Sequence, residues 1–162
     1  MSGHKLSGKI QTVLGTINPE ELGATLAHEH VLWDARFLFK EPDGIGHAYD
    51  PVKIENLEWL KRHGVGSIDN LKLLDEDVAI DEVLRFKQAG GGAIIDMGNN
   101  GLYRDPKGLV RVSRATDVHI VMGAGYYVGG SHPKELAERS VEEIVEEMVR
   151  DITIGVDGTG IR

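Results

Sequence analysis

The chain contains no cysteine. Disulfide scaffolds, thiolate zinc sites and cysteine nucleophiles are thereby excluded, and any metal site must be built from His, Asp or Glu. Clustered basic charge is also missing. With 18 basic and 26 acidic residues the formal net charge is −8. No nucleic-acid partner is expected, because phosphate backbones are held by clustered Lys and Arg. The acidity implies solubility rather than a cationic partner. No apolar run approaches the ~20 residues that cross a bilayer, so no membrane partner is expected. The opening MSGHKLSGK has no apolar h-region of a secretory signal, and the expected location is cytoplasmic.

Hydrophobic residues make up 41% and charged residues 27% of the 162 positions, an ordinary globular composition. One domain with a sizeable core fits that length. Glycine is plentiful, at 21 residues. Many of these flank short apolar runs, as at Gly90 to Gly92, Gly98, Gly101, Gly123 and Gly125, which suggests repeated tight connections between strands and helices.

Residues 9 to 14 read as a short strand. A turn follows at Asn18-Pro19-Glu20-Glu21, then a second strand over 24 to 32, and the first segment is expected to pair with its start as a hairpin. Residues 34 to 50 read as a long loop. A helix is predicted from Pro51 with apolar positions Val52, Ile54, Leu57 and Leu60, stopped by Gly64 and Gly66. A second helix is predicted over 76 to 89, with Ala79, Ile80, Val83, Leu84 and Phe86 on its apolar face. Short apolar strands follow at 93 to 96 and 119 to 123, separated by a helix from Asp105 or Pro106 to Thr116. The last helix begins with a capping box, Ser140 and Glu143. Val141, Ile144, Val145, Met148, Val149 and Ile152 then recur at helical spacing.

Alternating short strands and amphipathic helices predict an α/β fold with a parallel sheet. Periodicity leaves two architectures open, a doubly wound open sheet and part of a (β/α)8 barrel. A complete barrel needs roughly 250 residues, so this length would hold about the first three barrel strands.

His28-Glu29-His30 closes the second strand. Residues two apart on a strand share a face, so two imidazoles would stand side by side with Glu29 turned away. Neutral imidazoles suit Zn²⁺ or a similar divalent metal. The competing reading is a pair of strand-end histidines bonded to backbone.

The stretch QTVLGTINPEELGATLAHEHVL (11 to 32) resembles the opening of the phosphotriesterase family of the amidohydrolase superfamily. GGGAIIDMGNNGLYRDP (90 to 106), VSRATDVHIVMGAGYY (112 to 127) and RSVEEIVEEMVRDITIGVDGTGIR (139 to 162) agree in the same order. The resemblance implies a TIM barrel, here an N-terminal part preceded by a short β-hairpin. It implies a zinc-dependent hydrolase acting on ester bonds (lactone, carboxyl ester or phosphotriester) through a metal-activated hydroxide, with two ions in the complete enzyme. On that basis His28 and His30 are metal ligands. Tyr127, after Gly-Ala-Gly-Tyr at the third strand's end, would contact the substrate oxygen or the bridging hydroxide. The family's later ligands would lie beyond Arg162: a carboxylated Lys or a Glu on strand 4, histidines on strands 5 and 6, and an Asp on strand 8. Residues 1 to 162 are thus expected to form a single incomplete barrel domain, inactive alone.

The alternative is a non-catalytic half-barrel module that forms a homodimer or pairs with a separate C-terminal half. A nucleotide-binding domain is disfavoured, because neither Gly123-Ala124-Gly125 nor Gly158-Thr159-Gly160 completes a phosphate fingerprint. Asp105 before Pro106 reads as a helix cap with Arg104 in the adjoining loop. Asp96 reads either as a support behind the metal ligands or as a buried loop-holding carboxylate. His4, His47, His63, His119 and His132 have no partner spacing. The acidic run Glu142, Glu143, Glu146, Glu147 reads as a solvated helix face.

Overall fold

The structure is a computed structural model and describes residues 7–162. His4 lies outside the described residues.

At its centre is a parallel sheet of three strands, β3 (Ala24–Glu29), β6 (Gly91–Asp96) and β7 (His119–Met122), in that spatial order. Leu26 pairs with Ile94, and Ile94 with Ile120. The helices α2 (Glu76–Gln88) and α3 (Pro106–Thr116) connect these strands. Leu109, Val112 and Val83 from the helices bury against Ile94 and Ile120 of the sheet, and Val13, Val31 and Val118 close the cluster. Both helices start where carboxylates accept the free amides of the first turn. Asp75 takes Asp77 N and Val78 N, and Asp105 takes Gly108 N at 2.9 Å.

The hairpin differs from expectation. Ile10–Thr12 (β1) does not pair with 24 to 32. It folds back on Gly15–Ile17 (β2) across Val13-Leu14. Gly15 has φ +132, a conformation that side-chain-bearing residues rarely adopt, and this lets the chain reverse early. Residues 24 to 29 are thereby free to run parallel to β6.

The excursion after β3 carries a ribbon that the alternation did not reveal. Trp33–Asp34 (β4) pairs antiparallel with Lys72–Leu73 (β5) and ties its ends together. Two-residue strands are too short for any periodic signal. Within the excursion the helix α1 spans Leu57–Arg62, after a 3-10 turn at Ile54–Asn56. It begins later than Pro51 because the Asn56 side chain holds residues 51 to 53 in a turn, donating to Pro51 O and accepting from Lys53 N.

The final helix α4, Val141–Thr153, has the expected capping box. Its apolar face is not buried as the pattern implies. Val141, Val145, Val149 and Ile152 remain 48–71% exposed. Among the described residues the sheet ends at β7, so no further strand backs this face. No helix among the described residues is long and apolar enough to cross a membrane.

Candidate metal-binding site at the sheet's C-terminal end

Because the three central strands are parallel, the segments that follow them gather at one end of the sheet. His28 and His30 lie there, at the tip of β3. Their ring centroids are 6.1 Å apart with planes at 82°. His30 also stacks on Trp33, at 5.4 Å and 18°. The indole covers one face of that imidazole.

The backbone beneath the rings is fixed by Asp96. This carboxylate is buried, and it accepts Val31 N and Gly98 N, each at 2.7 Å. Met97 N adds a bond to Glu29 O at 2.8 Å. The ends of β3 and β6 are thus locked together directly beside His30. Burial pushes the Asp96 carboxyl above its ordinary range, opposed by the two amides and by nearby His30. Of the two roles open to Asp96, the structure shows the loop-holding one.

A divalent ion requires donors with free lone pairs. His30 Nδ1 is buried and has no hydrogen-bond partner, and such orphaned nitrogens are uncommon in folded proteins. The pair therefore fits two positions of a coordination shell. Among the described residues no third His, Asp or Glu joins them in a group able to hold a metal, so further donors are needed.

Tyr127 stands in the segment after β7. It is 43% exposed and packs edge-on against Phe37, centroids 6.1 Å apart. Its amide donates to Asn100 O at 3.2 Å. Among the described residues its hydroxyl has no hydrogen bond, and its ring pairs with Phe37 while His28 and His30 pair with each other.

Its neighbour Tyr126 is tied down. The Tyr126 hydroxyl donates to Glu147 at 2.7 Å and accepts from Arg139 at 2.9 Å, and Arg139 also pairs with Glu147. Asn100 reaches the same carboxylate at 3.3 Å. Glu147 is thus not part of a solvated face, as the acidic run suggested, because its partners come from two loops distant in sequence. Arg104 likewise does more than shape its loop. It is buried and reaches Asp151 of α4 at 2.9 Å. Neither partnership has a local sequence signature, since the residues lie far apart along the chain.

The unpaired histidines serve elsewhere. His63 stacks on Trp59 at 4.4 Å, and His47 meets the same indole edge-on and bonds Asp50. His119 opens β7 opposite Ala93. His132 Nε2 lies 2.8 Å from Tyr127 O.

The sequence profile described as the phosphotriesterase family matches residues 8–162. The chain belongs to the phosphotriesterase family. Its sequence is 39% identical over 160 residues to "N-acetyltaurine hydrolase" of Homo sapiens, and equally so to that of Tetraodon nigroviridis. Each match covers 97% of this chain and 46% of the relative, so the chain spans about half the length of the curated relatives it matches. Among solved structures, a resiniferatoxin-binding protein from Rhodobacter sphaeroides superposes with TM-score 0.93 at 40% identity, covering 99% of this chain and 46% of that one. The phosphotriesterase homology protein of Escherichia coli, solved with phosphate in its active site, gives TM-score 0.64 at 27% identity, covering 88% and 40%. The chain is accordingly a homologue of phosphotriesterase-family hydrolases, a family of metal-dependent enzymes, and is partial relative to them.

Proposed function

We propose that this chain supplies the first three strands of a (β/α)8 barrel, and that the complete barrel is a zinc-dependent hydrolase of ester bonds. The bond is that of a lactone, carboxyl ester or phosphotriester, and an amide is added to that range by the N-acetyltaurine hydrolases. The observation that carries the reading is the partnerless, buried Nδ1 of His30 beside the ring of His28, in a chain of this family.

In this reading His28 and His30 hold one divalent ion. Such an ion supplies Lewis-acid polarisation of a carbonyl or phosphoryl oxygen and a hydroxide nucleophile near neutral pH. The chain's own groups do the positioning. Trp33 restrains the His30 ring by stacking. Asp96 fixes the backbone just past it through Val31 N. The free hydroxyl of Tyr127 can donate to a substrate oxygen as charge builds there.

The test compares the 162-residue chain with a chimera that continues it with the remaining residues of the Rhodobacter sphaeroides relative. Bound zinc and turnover of lactones, aryl esters and N-acyl amides are measured on both. The expected result is little turnover by the chain alone and zinc-dependent turnover by the chimera. Zinc-independent turnover, or none with zinc fully bound, would count against the reading.

The exposed apolar face of α4 favours one other reading, a non-catalytic half barrel that covers this face by dimerising or by joining a separate C-terminal half. A stable dimer in solution with no zinc bound would support it.

A further inference from the structure

Asn100 joins two loops at the C-terminal end of the sheet. Its amide donates to Gly125 O at 3.0 Å, and its carbonyl accepts Tyr127 N at 3.2 Å. The loop after β6 is thereby laced to the loop after β7, in a parallel bridge beyond the strand ends. The side chain is held as well. Its Oδ1 accepts Arg104 Nη2 at 3.2 Å, and its Nδ2 donates to Glu147 at 3.3 Å.

Asn100 is the only asparagine of the sequence that precedes a glycine. In such a pair the following amide is unshielded, because no Cβ stands beside it. Gly101 N makes no hydrogen bond among the described residues, so the nitrogen is free to react. No other residue fits at 101 without strain. Gly101 has φ +116, and a Cβ there would collide with Ser131 Oγ. The fold therefore requires the glycine that makes Asn100 labile. Arg104 completes the arrangement. Its guanidinium is buried, and its bond to Asn100 Oδ1 aims positive charge at the oxygen that turns negative when the amide carbon is attacked.

We propose that Asn100 is a site of spontaneous deamidation in the folded chain, a slow one-way modification that unlaces the two loops. Gly101 N attacks Asn100 Cγ, and the new C–N bond closes a cyclic imide. The Cγ–Nδ2 bond breaks, and Nδ2 departs as ammonia with the proton that Gly101 N gives up. Water then adds to either imide carbonyl. One opening gives aspartate and the other isoaspartate, with no oxidant or cofactor consumed. Aspartate sets a second carboxylate against Glu147 in place of a donor. Isoaspartate puts an extra methylene in the main chain between the groups that bond Gly125 and Tyr127, so the two bonds lose register. The proposal stands apart from the hydrolase reading, since neither metal nor substrate takes part.

The experiment holds the 162-residue chain at mildly alkaline pH and body temperature, beside a peptide of residues 96–106. The chimera is treated alike, so that the site is also read in a closed barrel, and circular dichroism confirms the fold throughout. Peptide mapping by mass spectrometry follows replacement of NH₂ by OH at each asparagine, and an isoaspartyl methyltransferase reports the isoaspartate. Modification is expected at Asn100 of the folded proteins and not at Asn18, Asn56, Asn70 or Asn99. The double variant Arg104→Met with Asp151→Leu removes the guanidinium without stranding a charge, and should slow the reaction roughly tenfold. Asn100→Asp, which stands for one product, should lower the melting temperature by about 2–4 °C.

Modification of the peptide but of neither folded protein would overturn the proposal. An undiminished rate in the double variant would do so too, since the reaction would then owe nothing to the folded site. An unchanged melting temperature in Asn100→Asp, with isoaspartate absent, would remove the unlacing.

Discussion

Arg104 Nη1 and Asp151 Oδ2 lie 2.9 Å apart, with side chains only 3% and 6% exposed. The guanidinium Nε and Nη1 lack a well-aligned hydrogen bond, so the attraction is chiefly Coulombic. It fastens α4 to the loop between β6 and α3. Removing one partner strands a charge in a poorly solvated site, which typically costs about 3–5 kcal/mol. Asp151→Ala should therefore lower the urea midpoint steeply. The double variant Arg104→Met with Asp151→Leu should recover most of that loss, because buried apolar replacements of similar volume are often neutral or better. A double variant as unstable as the single one would mean that the pair contributes by shape rather than by charge.

The Tyr126–Glu147–Arg139 cluster predicts a pH dependence. Burial pushes the Glu147 carboxyl up. Hydrogen bonds from Tyr126 and Arg139, and the charges of Arg139 and Arg150, outweigh that and leave it below its ordinary value of 4.5. A carboxyl lowered on folding contributes stability that is present above its unfolded value and is lost as pH falls through the folded one. Melting temperature should thus decline below about pH 4.5, and Glu147→Gln should flatten part of that decline. Tyr126 has the opposite sign. Burial and Glu147 raise its phenol above 10.0, so its contribution is present below that value and is lost as pH rises through the folded one. Ultraviolet titration of phenolate should show one tyrosine moving to lower pH in Glu147→Gln. An unchanged titration would mean that Glu147 does not sense the phenol.

How far the sequence foretold this arrangement depended on the range of each interaction. Asp105 before Pro106, and Ser140 three residues ahead of Glu143, are local devices, and the structure uses both as caps. That β3, β6 and β7 run parallel followed from strand–helix alternation. Partners separated by many residues left no trace in the pattern. Glu147 looked solvated because its neighbours along α4 are, yet Asn100 and Tyr126 reach it from other loops. The α4 stripe shows the converse. Helical spacing marks a face that seeks cover, but says nothing of whether the cover lies within the same 162 residues. His28 and His30 stood out because two-residue spacing on a strand is itself geometry. Trp33, which orients the second ring, follows a bend and carried no such mark.

Two glycines make a matched comparison. A Cβ at Gly92 would sit 2.3 Å from Leu22 O, a backbone atom that cannot swing aside. This is where β6 passes beneath the turn leading into β3. Gly92→Ala should destabilise by about 1–3 kcal/mol, the usual range for overpacking. At Gly129 nothing lies within 4 Å, and Gly129→Ala should leave the denaturation midpoint nearly unchanged. Equal effects at both sites would show that backbone entropy, and not the close approach, dominates at Gly92.

The sharpest test of the metal proposal is a contrast along three consecutive residues. Glu29 is exposed at the end of β3, between the two imidazoles. If the rings are ligands, His28→Ala and His30→Ala should each weaken zinc binding at least about tenfold, since each removes one of few donors. Glu29→Ala should leave it unchanged. Asp96→Asn probes the support beneath them. Its amide NH₂ cannot accept the backbone N–H that one carboxylate oxygen now takes. The tip of β3 should loosen, and zinc affinity should fall by less than in either histidine variant, because Asp96 holds the backbone beside His30 and bonds neither ring. Zinc titration of the chimera with a chromophoric competitor reads all four variants, and circular dichroism separates lost affinity from lost fold. Zinc bound as tightly by the His28→Ala and His30→Ala chimeras as by the unsubstituted chimera would place the metal elsewhere and leave the orphaned nitrogen of His30 without a role.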